Sequence, residues 1–219
     1  MKNYFKYLIN IKKNKFFEKE IELLITYKFF YKKKILVFYP TLIPRYDTEN
    51  IINIFNNLTK NIKEINVYEL GCGSNNINKS LKHNKLKNIN IDKNFLSYLT
   101  KDITKQKQYI FSDWTFLIKS LKKCKLIITN PPYIEKKEVN ININNKLTKH
   151  SLLCNKNGLS SIYFIIKKSK NILLNNGIII IEHGYNQAKK IRYYAKINGF
   201  NSYELNDYNN IKRFIYLDI

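Results

Sequence analysis

Apolar and polar positions form two kinds of pattern along the chain, one typical of buried strands and one typical of amphipathic helices. Short apolar runs predict strands at 65–70, 86–91, 108–111, 125–129, 177–182, 200–205 and 212–218. Apolar residues that recur every three or four positions predict helices at 76–83, 94–101, 114–121, 159–174 and 187–197. Because helices separate the strands, we expect a parallel sheet with helices on both faces.

The C-terminal end breaks this alternation. Only the short polar stretch Asn206–Asn210 joins the last two predicted strands, and no helix fits between them. We therefore expect these two strands to form an antiparallel hairpin that closes the mostly parallel sheet.

The N-terminal part has its own pattern. Residues 4–25 read as one or two short helices, and residues 28–38 read as a hairpin with a charged turn around Lys32–Lys34. Asp47 or Thr48 is expected to cap the helix that follows. The apolar face of this helix holds Ile51, Ile52, Phe55 and Leu58.

The length of 219 residues suits one α/β domain with a core of its own and is tight for two. We expect a short helical segment at 1–26, a β-hairpin and linker at 27–46 and the main domain at 47–219. Residues 134–158 are polar and lack periodicity, so we expect them to form a loop.

The chain is strongly basic, with 39 Lys and Arg against 16 Asp and Glu and a formal charge of +23. This charge could indicate a nucleic-acid partner, since basic side chains release counterions from phosphates. Drift in an A/T-biased genome would give the same charge, because Lys, Asn, Ile and Tyr dominate throughout. The basic residues look scattered rather than gathered on one helix face, which favours a general attraction to polyanions.

Cysteine usage and hydropathy exclude some classes of protein. Cys72, Cys124 and Cys154 have no CxxC spacing, and the histidines complete no tetrahedral set, so no metal site is expected. An odd cysteine count without a signal peptide suits the reducing cytoplasm. No apolar run reaches the roughly 18 residues that a membrane span needs.

A glycine-rich turn follows the first strand of the main domain. In Gly71–Asn75, glycines let the backbone approach a ligand closely, and the helix that begins next offers free N–H groups. The residues of this turn are Gly71, Cys72, Gly73, Ser74 and Asn75. A GxG turn alone is a weak signal and also suits an ordinary strand-to-helix connection.

The next two strand ends carry further candidates for binding a nucleoside cofactor. Asp92 stands 21 positions after Gly71, where a carboxylate can accept both ribose hydroxyls or can simply cap a helix. Asp113 could accept a hydrogen bond from an adenine amino group. Trp114 could pack against the purine ring, although a tryptophan taken singly is more often a core residue.

The strongest motif is Asn130–Tyr133, the sequence Asn-Pro-Pro-Tyr after a buried strand. A strand-terminating turn would explain the two prolines but not the flanking residues. The side-chain carbonyl of Asn130 and the backbone carbonyl of Pro131 could each accept one N–H from an amide or aryl-amine nitrogen. Holding both N–H groups directs the nitrogen lone pair toward a methyl carbon, while Tyr133 stacks on the planar group.

Taken together, these motifs resemble those of the peptide chain release-factor glutamine N5-methyltransferases, from about Phe29 to the C-terminus. The resembling stretches are Thr41–Arg45, Asp47–Glu49, Gly71–Ser74, Ser112–Trp114, Asn130–Ile134 and Glu182–Gly184. Asn-Pro-Pro-Tyr alone also occurs in adenine N6-methyltransferases. Two other motifs are more specific to the glutamine enzymes. They are Leu-Ile-Pro-Arg-x-Asp-Thr-Glu at 42–49, before the glycine turn, and Glu-His-Gly at 182–184 on a later strand.

The resemblance implies an α/β class I S-adenosylmethionine-dependent methyltransferase fold, Rossmann-like and seven-stranded. It implies S-adenosyl-L-methionine as cofactor, held by Gly71–Asn75, Asp92 and Asn130 with Trp114 beside the adenine. It implies as partner a peptide chain release factor, whose GGQ glutamine would lie against Asn130, Pro131, Pro132 and Tyr133. A cytoplasmic monomer with no membrane contact is expected, and nucleic acid only as a non-specific or ribosomal contact.

The sequence departs from the family pattern at several points. Tyr46 stands where the family usually has proline, and Asn75 where it usually has glycine. The family's N-terminal helical domain, which helps dock the release factor, is expected to be shortened here. Arg45, Asp47, Glu49 and the Glu182–His183 pair could act in catalysis or only fix the loops.

Two other functions remain open at this point. Adenine N6-methylation of DNA or RNA would use the same Asn-Pro-Pro-Tyr motif, although no added target-recognition domain is visible. A degenerate protein that binds the cofactor or ribosomal components without turnover would be consistent with Asn75 and the lost helices.

Overall fold

A seven-stranded sheet forms the centre of the protein. The computed structural model describes residues 25–38, 41–83, 85–92, 107–111, 123–135, 153–154 and 158–219. The strands are β1 Ile25–Phe30, β2 Lys33–Phe38, β3 Ile65–Leu70, β4 Leu86–Asp92, β5 Lys107–Phe111, β6 Cys124–Thr129, β7 Ile134–Glu135, β8 Leu153–Cys154, β9 Leu173–Glu182, β10 Asn201–Asn206 and β11 Lys212–Asp218. The helices are α1 Asn50–Thr59, α2 Asn76–Ser80, α3 Ser160–Ser169 and α4 Ala188–Ile197, with a 3₁₀ turn at Asp47–Glu49.

The strand order of the main sheet is β10-β11-β9-β6-β3-β4-β5. Strands β9, β6, β3, β4 and β5 pair in parallel, whereas β11 pairs antiparallel with both of its neighbours. This order confirms the predicted mostly parallel sheet with an antiparallel C-terminal hairpin. The predicted helices at 94–101 and 114–121 lie outside the described residues, as does the N-terminal helical segment up to residue 24. Ile25 and Thr26, which lie within that predicted segment, belong to strand β1.

The sheet separates two apolar cores, and alternate residues of each strand enter opposite ones. Ile127 packs with α3 and α4, while its neighbours Leu126 and Ile128 pack with α1 and the β1–β2 hairpin. In α1 the predicted face is mostly correct, since Ile51, Ile52 and Phe55 are fully buried and Leu58 partly so. Each such buried side chain stabilises the fold by roughly 1.5–3 kcal/mol.

The predicted N-terminal hairpin forms, but it begins at Ile25 and turns at Tyr31-Lys32, so Lys33 and Lys34 lie in strand β2 rather than in the turn. Both turn residues have positive φ, 45° and 60°, a backbone twist that matches paired strands. Phe30, Ile35 and Val37 are buried against α1. The hairpin therefore shares a core with the main sheet.

The predicted boundaries are wrong in three places. The helix predicted at 159–174 ends at Ser169, because a turn leads into β9, where Leu173 pairs with Cys124. The helix predicted at 76–83 ends at Ser80, since Leu81 is extended. The predicted loop 134–158 contains the short parallel pair of β7 and β8.

No helix among the described residues is long and apolar enough to cross a membrane.

Candidate functional site

The carboxyl ends of the parallel strands place most of the predicted site residues along one edge of the sheet. Leu70 at the end of β3 is level with Ile91 on β4 and Thr129 on β6, and Thr129 is level with Ile181 on β9. Since β11 runs the opposite way, its first residues lie at this edge too. Ligands of such sheets bind beyond this edge.

The glycine turn, Gly71–Asn75, leads from β3 into α2 through three left-handed residues. The φ angles are 72° at Gly71, 50° at Gly73 and 60° at Asn75. Asparagine tolerates this conformation better than other side chains, which explains how Asn75 can stand where a glycine is usual. A Cβ atom added at Gly73 would meet no atom of the described residues within 4 Å. The turn therefore presents its backbone to open space.

Asp92 lies at the end of β4 and fixes the glycine turn. The backbone N–H of Gly73 donates to Asp92 Oδ2 at 2.7 Å. Asp92 is the last residue of β4 and holds the glycine turn against that strand.

The side chains of Cys72, Ser74 and Asn75 are buried beneath the turn rather than exposed at its surface. Burial, with the neighbouring Glu69 and Asp92 carboxylates, raises the pKa of the Cys72 thiol, so it stays protonated. Ser74 Oγ donates to Asn76 Oδ1 at 3.2 Å. The predicted adenine contacts Asp113 and Trp114 lie outside the described residues.

The NPPY corner, Asn130–Tyr133, follows β6 and is tied to two other segments. Thr129 Oγ1 donates to the Leu70 carbonyl at 2.9 Å, which joins the ends of β6 and β3. Asn130 Nδ2 donates to Thr48 Oγ1 at 3.3 Å. The corner is thus linked to the segment before α1, 82 positions earlier in the chain.

Tyr133 connects the corner to the end of β9. Its hydroxyl donates to Glu182 Oε1 at 2.9 Å. Burial raises the pKa of Glu182, and burial together with the Glu182 carboxylate raises the pKa of Tyr133. Tyr133 therefore stays a neutral phenol and is not suited to act as a base.

The backbone of the corner is held by the loop after β9. Gln187 Nε2 donates to the Tyr133 carbonyl at 2.8 Å, and Gln187 Oε1 accepts the Gly184 N–H at 2.9 Å. Gly158 has φ +73°, and a Cβ atom there would lie 2.0 Å from the Tyr133 carbonyl oxygen. Only glycine therefore fits at this position.

An acid–arginine cluster, formed by Asp47, Asp207 and Arg213, lies beside the corner. Arg213 Nε is 3.4 Å from Asp207 Oδ2, and Arg213 Nη2 is 3.9 Å from Asp47 Oδ2. Asp207 also accepts the backbone N–H groups of Asn209 and Ile211, and these bonds lower its pKa against the opposing effect of burial.

The prediction that Asp47 or Thr48 caps α1 is wrong. Within the described part of the chain, neither residue makes a side-chain cap, and Glu49 occupies the capping position. Asp47 instead faces Arg213, and Thr48 accepts from Asn130. Long-range partners have displaced the local cap.

His183 and Arg45 differ in exposure. His183 is fully buried, its Nδ1 lies 2.9 Å from the Gly184 carbonyl, and burial lowers its pKa, so the ring is neutral. This environment fits the loop-fixing alternative for His183. Arg45 is exposed, and its charge acts to lower the pKa of both Tyr133 and Glu182.

Sequence reasoning missed Gln187, Asp207 and Arg213. The position of Arg213 could have been predicted from the sequence. The last strand was predicted at 212–218 and antiparallel, and such a strand begins at the sheet edge where the parallel strands end. Gln187 carried no such signal, since its two contacts depend on how the loop folds.

The chain is similar in sequence to proteins named release factor glutamine methyltransferase. It is 32% identical over 209 residues to the release factor glutamine methyltransferase of Buchnera aphidicola subsp. Acyrthosiphon pisum, covering 91% of this chain and 75% of that protein. No protein-family model matches the chain.

Solved structures share the fold. SMU.776 complexed with SAH superposes with a TM-score of 0.60 at 14% identity, covering 90% of this chain and 56% of that one. The E. cuniculi Mtq2–Trm112 complex, responsible for the methylation of the eRF1 translation termination factor, has a TM-score of 0.57 at 12% identity. It covers 81% of this chain and 97% of that one. At these identities the likeness shows the methyltransferase fold alone.

Proposed function

Because the chain belongs to the release factor glutamine methyltransferase family, we propose that it methylates the side-chain amide nitrogen (N5) of the GGQ glutamine in peptide chain release factors, using S-adenosyl-L-methionine. One observation carries this proposal. The NPPY corner is bonded on one side to Thr48 of the Asp-Thr-Glu segment and on the other to Glu182. The NPPY corner thus contacts both of the motifs that are more specific to the glutamine enzymes.

The residues at the strand ends fit the cofactor. The open space beside Gly73 allows a ligand to approach the backbone closely, and Asp92 presents a carboxylate at the same place. A carboxylate accepts up to about four hydrogen bonds, so Asp92 can bind ribose hydroxyls while it accepts the Gly73 N–H. When bound, S-adenosyl-L-methionine supplies an electrophilic methyl group.

Asn130 orients the glutamine amide. Its Nδ2 faces Thr48, so its Oδ1 is the group that accepts a substrate N–H. The backbone carbonyl of Pro131 accepts the second N–H, since a proline-rich turn has few donors that compete for it. With both N–H groups held, the nitrogen lone pair is directed out of the amide plane. The rate gain comes from positioning and preorganised acceptors.

Tyr133 supplies a flat, neutral wall for the amide. The hydrogen bond to Glu182 and the Gln187 bond to its carbonyl fix the ring and the backbone together. A neutral phenol does not repel the proton-bearing amide and does not accept its proton. We infer that the proton leaves to solvent after methyl transfer.

The acid–arginine cluster positions the segment that carries Thr48. Asp47 precedes Thr48 directly, and Arg213 attracts Asp47 from the start of β11. In this proposal Asp47 and Arg213 act through Thr48 and Asn130, and they do not touch the reacting atoms.

We also propose that the enzyme works in the cytoplasm as a monomer. The free thiols of Cys72 and Cys124 support a reducing compartment, since both are buried without a disulfide.

A methyl-transfer assay with labelled S-adenosyl-L-methionine tests the proposal. The purified protein is given, in parallel, a release factor, the same factor with its GGQ glutamine replaced, and a mixture of DNA and RNA. We expect label only in the unaltered release factor. Label in nucleic acid but not in the factor would indicate an adenine methyltransferase, and label in neither would indicate a protein without turnover.

A further inference from the structure

Glu182 is a buried carboxyl group that two hydroxyl groups approach as donors. It is 1% exposed at the end of β9, and Tyr133 donates to its Oε1 at 2.9 Å. Burial raises the pKa of Glu182, and the Thr48 hydroxyl opposes this rise as a second hydrogen-bond donor. The positive charges of Arg213 and Arg45 act in the same direction as the donors. These neighbours all favour the charged form, so the carboxyl group serves as an acceptor.

The fold places Glu182 and Thr48 on the same side of the sheet. Ile180, two positions before Glu182 on β9, packs into the core that α1 covers. Because alternate residues of a strand face the same way, the Glu182 side chain leaves the sheet on the α1 side. Thr48 lies in the 3₁₀ turn that leads into α1 and is 2% exposed. The buried hydroxyl and the buried carboxyl group therefore meet between the end of β9 and the start of α1.

The same Thr48 hydroxyl has a second contact, because its Oγ1 accepts a hydrogen bond from Asn130 Nδ2 at 3.3 Å. A threonine hydroxyl has one proton and two lone pairs. When that proton is directed at Glu182, Oγ1 presents only lone pairs to Asn130. The Asn130 amide must then turn Nδ2 toward Thr48, since Oδ1 in that place would set two acceptors against each other.

The orientation of the Asn130 amide decides which chemical group the pocket accepts. With Nδ2 directed at Thr48, Oδ1 is left to accept an N–H group from the substrate. In the reversed orientation, Nδ2 would meet the N–H groups of a primary amide, and two donors would face each other. A reversed amide would instead suit a carbonyl or carboxylate oxygen.

From this geometry we infer that Glu182 and Thr48 are positioning residues, which fix the orientation of the Asn130 amide and thereby make the NPPY corner specific for an N–H donor. The hydrogen bonds run in one direction, from Asn130 to Thr48 and from Thr48 to Glu182. Glu182 therefore has a role beyond holding the Tyr133 ring. This inference rests on the proposed methyl transfer to a glutamine amide, but the orientation of Asn130 can also be measured without that reaction.

The first test removes the hydroxyl of Thr48. Thr48→Val keeps the size of the side chain, and we expect kcat with a release factor to fall about tenfold, because Nδ2 of Asn130 loses its acceptor. The KM for S-adenosyl-L-methionine should change less than about twofold. Thr48→Ser, which keeps a hydroxyl, should recover most of the loss.

The matched control for this test is Thr59→Val. Thr59 is 3% exposed at the far end of α1, and its Oγ1 donates to the Phe55 carbonyl at 2.9 Å. This substitution removes a buried hydroxyl away from the NPPY corner, so kcat should not change. Equal kcat values for Thr48→Val and Thr59→Val would overturn the inference.

The second test examines Glu182 in the Tyr133→Phe background, where no phenol proton needs an acceptor. Tyr133→Phe/Glu182→Met replaces both partners of one hydrogen bond with apolar groups, so folding should be preserved, and urea unfolding checks this. Compared with Tyr133→Phe alone, kcat should fall a further tenfold or about that, because Thr48 is free to donate to Asn130. Adding Thr48→Val to this pair should cost less than about threefold more, since residues in one hydrogen-bond chain have non-additive effects.

Two outcomes of the second test would overturn the inference. Equal kcat values for Tyr133→Phe and Tyr133→Phe/Glu182→Met would show that Glu182 acts only through Tyr133. A full additional tenfold loss on adding Thr48→Val would show that Thr48 and Glu182 act independently.

Nuclear magnetic resonance measures the orientation of Asn130 directly and needs no methyl transfer. In isotope-labelled protein, the side-chain amide protons of Asn130 are identified by their loss in Asn130→Ala. They should show an Overhauser contact with the Thr48 methyl group, which persists in Tyr133→Phe and weakens in Tyr133→Phe/Glu182→Met. An unchanged contact in both variants would overturn the inference even if the release factor is methylated. The predicted contacts without any methylation of a release factor would refute the proposed function and support the orienting role.

Discussion

The glycine turn and the NPPY corner meet at the same sheet edge, but different interactions build them. The turn is formed by backbone conformation, with left-handed residues at the alternate positions Gly71, Gly73 and Asn75 and one bond from Gly73 to Asp92, 19 positions away. The corner is held by side chains from distant segments, Thr48 at 82 positions and Glu182 at 49. The first is largely local, and the second exists only in the folded chain.

We therefore expect the glycine turn to determine cofactor binding and the NPPY corner to determine methyl transfer, and substitutions can test the two roles separately. Changes in the glycine turn should alter cofactor binding while the transfer step survives at saturating cofactor. Changes in the corner should alter transfer while cofactor binding survives.

Asn130→Ala should lower the rate of methyl transfer by about 100-fold or more, the usual cost of removing one preorganised group. Its dissociation constant for S-adenosyl-L-methionine, measured by calorimetry, should change little. A large loss of cofactor binding would show that Asn130 belongs to the cofactor side of the site.

Asp92→Asn should weaken cofactor binding about 10- to 100-fold, because hydrogen bonds to a charged group contribute about 1.5–3 kcal/mol. At saturating cofactor, the transfer rate should return to near the wild-type value. Trp114→Ala serves as the comparison on the adenine side, and an unchanged dissociation constant there would remove that predicted contact.

Tyr133→Phe should lower transfer about tenfold and the free energy of unfolding by about 1–3 kcal/mol, because it leaves the buried Glu182 carboxylate without its phenol donor. Adding Glu182→Gln should restore part of the stability, since a neutral amide is less costly to bury. Urea unfolding of the single and double variants measures this. No recovery would mean that the hydrogen bond is not what holds the ring.

Arg213→Gln should lower kcat less than about fivefold and leave the KM for a release factor nearly unchanged, because it acts on Asn130 only through the Asp47 segment and the Asp47 contact is a partly exposed ion pair. Lys212→Gln, at the preceding residue of β11, is the matched control and should have no effect on transfer. An equal effect of both substitutions would point to strand packing rather than to the Asp47 segment.

His183 should make a small, pH-dependent contribution to stability. Its folded pKa lies below its ordinary value of 6.5, so the unfolded chain binds the proton first as pH falls. The free energy of unfolding should therefore decrease below pH 6.5, by at most about 1.4 kcal/mol per pH unit from this group.

Glu182 acts in the opposite sense, because its raised pKa gives stability that is present below pH 4.5 and is lost as pH rises.

The contribution of His183 is measured by comparing wild type with His183→Gln. The difference between their slopes of unfolding free energy against pH isolates the histidine. Identical slopes would show that His183 is not held neutral.

Much of the fold follows from the sequence, and the reason is physical. The alternation of apolar runs and helical spacing predicted every strand of the main sheet, because burial on one or two faces dictates those patterns. The boundary at Ser169–Leu173 escaped prediction, since isoleucine- and leucine-rich segments suit a buried helix and a buried strand equally well. Such ambiguity is resolved by pairing partners, here Leu173 with Cys124.

The candidate site likewise has local features that the sequence predicts and long-range contacts that it does not. The glycine turn and Asp92 are consistent with their sequence signals, which are local. The contacts of Thr48, Gln187 and Arg213 were not predicted, because each depends on a residue far along the chain. Asp47 illustrates the reason, since its local sequence suits a helix cap but its partner in the fold is Arg213.

The most direct test of the central claim is to find where the methyl group goes. A release factor is incubated with S-adenosyl-L-methionine and either the wild-type protein or Asn130→Ala, and its peptides are sequenced by tandem mass spectrometry. We predict a methyl group on the side-chain amide of the GGQ glutamine with the wild type only. A methyl group on another residue, or an equal yield with Asn130→Ala, would contradict the assignment of the NPPY corner as the amide pocket.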